Sequence, residues 1–94
     1  MSGDANKERL QLTRACALRQ LYGAQTIAIT AGLVRRRLRK EEPELVDLSE
    51  TEANNALFFL RGQGFCEELR DEVSGEIRYR ITSKGILEYE RGEG

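Results

Sequence analysis

The 94-residue chain is long enough for one compact domain and for little more. Its share of charged residues, 33%, and of hydrophobic residues, 39%, is that of an ordinary folded globule and argues against a disordered tail. No apolar run approaches the roughly 20 residues that a bilayer-spanning helix needs, and residues 1–6 lack the apolar stretch of a signal peptide. We therefore expect a cytoplasmic protein that does not contact a membrane.

The residues that catalysis and metal binding use most often are scarce. Histidine is absent, which removes the commonest general base and the commonest transition-metal ligand. Cys16 and Cys66 stand far apart without further ligands nearby, so we expect buried thiols and no metal site. No serine has a histidine partner, and no glycine-rich phosphate loop precedes a helix. The sequence therefore predicts neither an enzyme nor a cofactor.

The charge is unevenly distributed, although the net charge of −1 gives no overall attraction to nucleic acid. Residues 35–40 carry five positive charges, and the next twelve residues carry six negative ones. The basic block has two interpretations. It can contact phosphates, or it can be a solvated helix face that pairs with Glu41, Glu42 and Glu44.

Two amphipathic helices are predicted in the first half of the chain. The first covers residues 7–22, where apolar residues recur at helical spacing, and Gly23 is placed to end it. Residues 25–29 are rich in β-branched side chains and favour a brief strand or an extended approach to the next helix. Thr30 can cap the second helix, residues 30–41, which Pro43 ends or follows.

The clearest local signal is the capping box formed by Ser49 and Glu52, which starts a third helix over residues 50–61. A glycine pair at 62 and 64 ends that helix. Periodicity then alternates over residues 65–70 and 77–82, which predicts a hairpin that turns near Ser74 and Gly75. Thr82 and Ser83 cap a short closing helix to about residue 90.

These elements predict a domain over residues 7–90, with flexible ends at 1–6 and 91–94. Its core should contain residues on the apolar side of each element: Leu10, Leu18, Leu21, Leu33, Leu57, Leu60, Ile77, Tyr79 and Ile81.

This order of elements resembles the winged helix-turn-helix superfamily, particularly small prokaryotic regulators of the MarR and PadR type. The most specific stretch is residues 49–85, which resembles a recognition helix, a wing and the step into the last helix. The resemblance implies an α+β fold with a three-helix core, a C-terminal β-hairpin wing and a short closing helix. Two features depart from it, namely a long connection before the third helix and an acidic wing tip at Asp71, Glu72 and Glu76.

The resemblance also implies that the third helix enters the major groove of DNA. Its outer face holds four candidate base contacts: Thr51, Asn54, Asn55 and Phe58. Asparagine can pair with adenine, and phenylalanine can contact a thymine methyl group. The candidate phosphate contacts are Arg35, Arg36, Arg39, Lys40, Arg78 and Arg80. Arg78 and Arg80 have an alternative role, which is to keep the exposed edge of the strand soluble.

The sequence thus favours a DNA-binding transcriptional regulator that reads double-stranded DNA as a homodimer, paired through its first and closing helices. The same fold hosts protein-binding modules. A second hypothesis is therefore an interaction module that binds a protein through Phe58, Phe59 and the acidic wing, and a third is a structural subunit of an assembly.

Overall fold

The computed structural model describes residues 2–93, and the side chains of residues 6–92. Four helices, three strands and one 3-10 turn follow in the order α1 (Ser2–Ala24), β1 (Ile29–Thr30), α2 (Ala31–Glu41), the turn (Pro43–Leu45), α3 (Glu50–Gly62), β2 (Cys66–Arg70), β3 (Ile77–Ile81) and α4 (Ser83–Glu93). Three predicted helices, the hairpin and the closing helix are therefore present. The terminal residues 1 and 94 lie outside the description, and flexibility of the two ends stays a prediction.

The boundaries differ from the predicted ones mainly around α1. That helix begins at Ser2 instead of residue 7, and it continues past Gly23 to Ala24. Gln25 follows the helix and has a left-handed backbone conformation, with φ 45°. The Gln25 amide donates to the Leu21 carbonyl oxygen. Only Ile29, from the stretch predicted as a brief strand, joins β1.

The predicted caps are confirmed. The Thr30 hydroxyl accepts from the Leu33 amide at the start of α2, and the Thr82 hydroxyl accepts from the Gly85 amide at the start of α4. Helix α3 ends in a Schellman motif, in which Gly64 has φ 81° and the Phe65 amide donates to the Leu60 carbonyl oxygen. Glycine suits Gly64 because other residues rarely adopt a positive φ.

The three strands form one antiparallel sheet in the order β1-β3-β2. In the hairpin, Cys66 lies opposite Ile81 and Arg70 lies opposite Ile77. On the other edge of β3, Ile29 lies opposite Tyr79. The inward residues Tyr79 and Ile81 face the helices, and Arg78 and Arg80 project from the other face, as the alternation predicts.

The helices pack on this sheet around one apolar core. Six of the predicted core residues are buried, namely Leu18, Leu21, Leu57, Leu60, Tyr79 and Ile81. Leu33 and Ile77 are half-buried. Leu10 is 41% exposed, so its predicted burial is wrong. The adjacent Arg9 side chain contacts Glu52 and Asp47, so this turn of α1 meets the rest of the fold through Arg9 and leaves Leu10 on the solvent side.

Leu45 and Leu48 are completely buried, although sequence periodicity did not mark them. Both lie between α2 and α3, in the connection that is longer than in a minimal helix-turn-helix. These two side chains anchor the connection to the core, so it holds α3 in place against α2.

Candidate nucleic-acid interface

The outer face of α3 carries the four residues predicted to contact bases. Thr51, Asn55 and Phe58 are exposed, and Asn54 is half-buried. The opposite face is buried through Ala53, Ala56, Leu57 and Leu60. The helix therefore presents one face to the core and the candidate face away from it, because its apolar residues recur at helical spacing.

Arg61 also lies near this face, and the sequence reasoning missed it. Its guanidinium carbon is 5.2 Å from the centre of the Phe58 ring, and its Nη1 donates to Glu68 Oε1 of β2 at 2.6 Å. Arg61 follows Phe58 by three residues and Asn54 by seven, and this spacing was the signal that could have found it. The ion pair with Glu68 and the contact with Phe58 hold a planar donor group at the end of the face.

Phe59 points to a different environment from Phe58. Phe58 is 45% exposed, whereas Phe59 is half-buried beneath Arg14, whose guanidinium carbon lies 3.6 Å from the ring centre. The two phenylalanines therefore do not form one exposed apolar patch.

The start of α3 is held by the predicted capping box and by α1. The Ser49 hydroxyl accepts from the Glu52 amide, and the Glu52 carboxylate accepts from the Ser49 amide. Arg9 Nε donates to Glu52 at 2.7 Å, and its Nη2 lies 3.0 Å from Asp47. The hydrogen bond from Arg9, together with that from the Ser49 amide, lowers the pKa of Glu52 to about 2. Helix α1 thereby fixes the entry of the candidate reading helix.

The basic residues of α2 have no carboxylate partner in the part of the chain whose side chains are described. Among the side chains described, no carboxylate lies within 4.0 Å of the basic groups of residues 35–40. Arg35 Nε donates to the Leu48 carbonyl oxygen at 2.9 Å, and Arg39 Nε donates to that of Val46 at 2.8 Å. These two arginines therefore lie beside the connection that leads into α3. Arg36, Arg39 and Lys40 are exposed.

The acidic block turns instead toward α1, so the alternative pairing of the arginines with Glu41 and Glu42 does not form. Arg19 Nη2 lies 3.0 Å from Glu42 and 3.7 Å from Glu41, and Gln20 donates to Glu41 at 2.9 Å. The only bond described for Glu44 is through its carbonyl oxygen, which accepts from Arg9 at 3.2 Å. The acidic and basic blocks are adjacent in sequence but have separate partners.

A cleft of about 460 Å³ lies at the start of α2, and three of its lining residues are Arg35, Arg36 and Arg39. Thr30, Gly32 and Leu33 complete it. The N-terminus of a helix carries a partial positive charge, which adds to that of the arginines. The positive charge around this cleft favours anions.

The wing arginines are already paired. Arg78 Nη2 lies 2.9 Å from Glu76, and Arg80 Nε donates to Glu67 at 3.1 Å. At the tip, the Asp71 carboxylate accepts from the amides of Val73 and Ser74, which lowers its pKa. Gly75, at φ 75°, completes the turn. The acidic tip therefore shapes the turn, and Arg78 and Arg80 have less free charge than the arginines of α2.

Both thiols are free and buried, as predicted. Cys16 is 4% exposed and Cys66 is 3% exposed, and burial raises the pKa of Cys66 to about 11. A thiol with this pKa stays protonated at neutral pH and is a poor nucleophile. Among the described side chains, those of residues 6–92, no three of the metal-ligating kinds lie close enough to hold an ion. No helix within residues 2–93 is both long and apolar enough to span a bilayer.

Three helices, a β1 strand between the first two, and a hairpin directly after the third define a winged helix-turn-helix fold with an appended closing helix. The predicted fold class is therefore confirmed. A solved structure of Lactococcus lactis ZitR, in apo form with a cysteine and a histidine replaced by alanine, matches with a TM-score of 0.68 and 16% sequence identity. The match covers 98% of this chain and 62% of that chain.

No family model matches the sequence, and no curated protein matches it. The likeness to ZitR is a likeness of fold, and it supports a winged-helix protein without singling out the MarR or PadR type.

Proposed function

We propose that this chain binds double-stranded DNA as a transcriptional regulator, with the outer face of α3 in the major groove. The observation that carries the proposal is the unpaired charge of α2. Its arginines and Lys40 have no carboxylate partner among the described side chains, because α1 binds the neighbouring acids. Each such cation that meets a phosphate releases counterions and raises affinity.

The position of α3 supports base reading. Asn54 and Asn55 can each form a bidentate pair with adenine, Phe58 can contact a thymine methyl group, and Thr51 lies at the helix start. Arg35 and Arg39 donate to the connection just before Thr51, so their charge lies near the entry of the reading helix. Phosphate contacts there would fix its register on the duplex.

The wing makes a smaller contribution in this proposal. Arg78 and Arg80 must exchange Glu76 and Glu67 for phosphates before they contribute to binding. The acidic tip is then directed away from the backbone. The salt dependence is therefore expected to come mainly from α2.

Pairing of two copies through α1 and α4 would double the number of contacts on a repeated half-site. Leu10 on α1 and Leu87 on α4, 41% and 67% exposed, are the apolar residues that such a dimer would cover. This regulator would act in the cytoplasm and would carry out no catalytic step.

Fluorescence anisotropy on labelled duplexes over a series of salt concentrations tests the proposal. Replacing Arg36 and Arg39 with alanine should weaken binding to every sequence and flatten the salt slope by up to about two units for each bound chain. The matched control removes two cations elsewhere, Lys7 and Arg91, and should leave the slope nearly unchanged. Absence of wild-type binding at low salt would refute the proposal.

Replacing Asn55 with alanine separates base reading from charge. Its expected cost is about 1–3 kcal/mol at a selected site, with unchanged binding to random DNA. Equal loss on both kinds of DNA would show that Asn55 does not read bases.

An interaction module for another protein is the second candidate, and the exposure of Phe58 favours it. Its test is Phe58→Ser in a pull-down. Loss of a partner in that variant, with wild-type behaviour in the Arg36/Arg39 variant, would replace the DNA proposal.

A further inference from the structure

A cavity of about 480 Å³ lies among α1, α3 and α4, on the side of α3 away from the proposed DNA face. Its walls are largely apolar: Leu12, Leu18, Phe59, Leu60, Phe65 and Tyr89. Its volume is in the range of roughly 300–1,000 Å³ that small-molecule sites occupy.

Arg14 is the unusual group in this wall. Its Nε is buried and has no hydrogen-bond partner, and its guanidinium carbon lies 3.6 Å above the Phe59 ring. Buried donors in folded proteins are nearly always paired, because leaving one unpaired costs free energy. The apolar ring holds the cation in place but supplies no oxygen acceptor.

The other charges around the cavity already have partners. Arg19 pairs with Glu42 at 3.0 Å, and Glu88 pairs with Arg91. Among the described side chains, none offers a carboxylate within 4.0 Å of Arg14. The cavity therefore combines apolar walls with one uncompensated positive charge.

We propose that this cavity binds a small amphipathic carboxylate, with its carboxylate on the Arg14 guanidinium and its apolar body among Leu12, Leu60 and Tyr89. A planar guanidinium can donate two parallel hydrogen bonds to a carboxylate. The volume calls for an apolar body larger than a single ring, such as an alkyl chain of medium length. This site is separate from the proposed DNA interface, and its test does not depend on DNA binding.

Decanoate is a suitable probe, and decan-1-ol is the neutral control of equal chain length. Isothermal titration calorimetry on the full chain should show saturable binding of one decanoate per chain. Decan-1-ol should bind at least about tenfold more weakly, because it lacks the charge that pairs with Arg14. Equal affinity for the two, or no saturable binding of decanoate, would overturn the proposal.

Arg14→Met keeps an apolar side chain over Phe59 and removes the charge. It should lower decanoate affinity at least about tenfold, whereas Arg37→Met, on the exposed face of α2, should not change it. Unchanged decanoate affinity in Arg14→Met would overturn the assignment of the anion partner.

Ala15→Phe gives a second route that spares Arg14, should the first variant fail to fold. Ala15 is exposed and lines the cavity, so the larger side chain should occupy part of it and lower decanoate affinity at least about tenfold, while circular dichroism stays that of the wild type. Full binding in Ala15→Phe would place decanoate elsewhere. Dissociation of a dimer by this substitution, with no decanoate binding to the wild type, would assign the cavity to a second copy and overturn the proposal.

Discussion

Helix α4 packs closely on the hairpin at Gly85, where there is no room for a side chain. A Cβ atom at this position would overlap the backbone carbonyl oxygen of Phe65 and come within 2.8 Å of Ile81 Cγ1. A carbonyl oxygen of the backbone cannot move away by changing rotamer. Gly85→Ala should therefore lower the free energy of unfolding by about 3 kcal/mol, the upper end of overpacking costs, as measured by urea denaturation.

Gly92 is the matched control on the same helix. A Cβ atom there meets nothing within 4 Å. Gly92→Ala should therefore leave stability unchanged or raise it by up to about 1 kcal/mol. Equal stability of the two variants would mean that α4 does not approach Phe65 as closely as described.

Glu52 should make stability depend on acid pH. Its pKa falls from 4.5 to about 2 on folding, chiefly through the hydrogen bond from Arg9. As the pH falls below 4.5, Glu52 is protonated in the unfolded chain but stays ionised in the folded chain. The free energy of unfolding therefore falls as the pH falls toward 2. Glu52→Gln keeps the hydrogen-bonding shape but removes this component of the pH dependence.

The variant should be less stable than the wild type at pH 7 by on the order of 1 kcal/mol, a modest value because the Glu52 side chain is 40% exposed. The difference should shrink toward pH 2 in urea denaturation series. Glu50→Gln, at an exposed neighbour in the same first turn, is the control. A Glu52 difference that is the same at pH 7 and pH 2 would refute the assigned ion pair.

The connection between α2 and α3 is the segment whose structural role differs most from the sequence prediction. Leu48 is completely buried, whereas Val46 in the same segment is 59% exposed. Leu48→Ala should cost about 2–5 kcal/mol of unfolding free energy, because the core cannot collapse fully around the missing atoms. It should also weaken DNA binding, since the Leu48 carbonyl oxygen is the acceptor for Arg35.

Val46→Ala is the control, because it shortens an apolar side chain that lies on the solvent side of the same segment. It should change the free energy of unfolding by less than about 0.5 kcal/mol. Chemical denaturation of both variants checks the contrast. If Leu48→Ala proved as mild as Val46→Ala, the segment would not be anchored in the core.

At the scale of the whole molecule, the proposed homodimer leads to a concentration-dependent prediction. Leu87→Glu places a charge on the α4 surface that the dimer would cover, so the dimer dissociation constant should rise at least about tenfold, or about 1.4 kcal/mol. Sedimentation equilibrium measures it. Val73→Glu, on the 97% exposed wing tip, is the control and should leave the association state unchanged.

The elements that the sequence predicted well are those with strong local signals. Ser49 and Glu52 satisfy each other within four residues, and the alternation of Ile77, Tyr79 and Ile81 needs only the period of a strand. The periodicity also predicted correctly which face of α3 is buried, because its buried residues recur at intervals of about one helical turn. Leu10 was misplaced because it shares the helical stripe of Ala17, and a local pattern does not show which part of that stripe other elements cover.

Local sequence predicted part of the candidate site, and tertiary contacts decided the rest. Local sequence was sufficient to predict which residues of α3 lie away from the core, and that the positive charge is concentrated on α2. Tertiary structure decided which of those charges have partners. Arg9 reaches Glu52 across 43 residues, and Arg19 reaches Glu42 across 23. These contacts between distant segments bind the acids, and the arginines of α2 have no carboxylate partner among the described side chains.

The chain alone thus determined its helices, its hairpin and the outward face of α3, because capping and periodicity act over a few residues. Only the folded molecule decided that Leu45 and Leu48 enter the core, that Arg14 lies over Phe59 beside a cavity, and that the acidic block binds α1. The physical reason is that burial and ion pairing depend on which surfaces meet in space, and distant parts of the chain supply those surfaces.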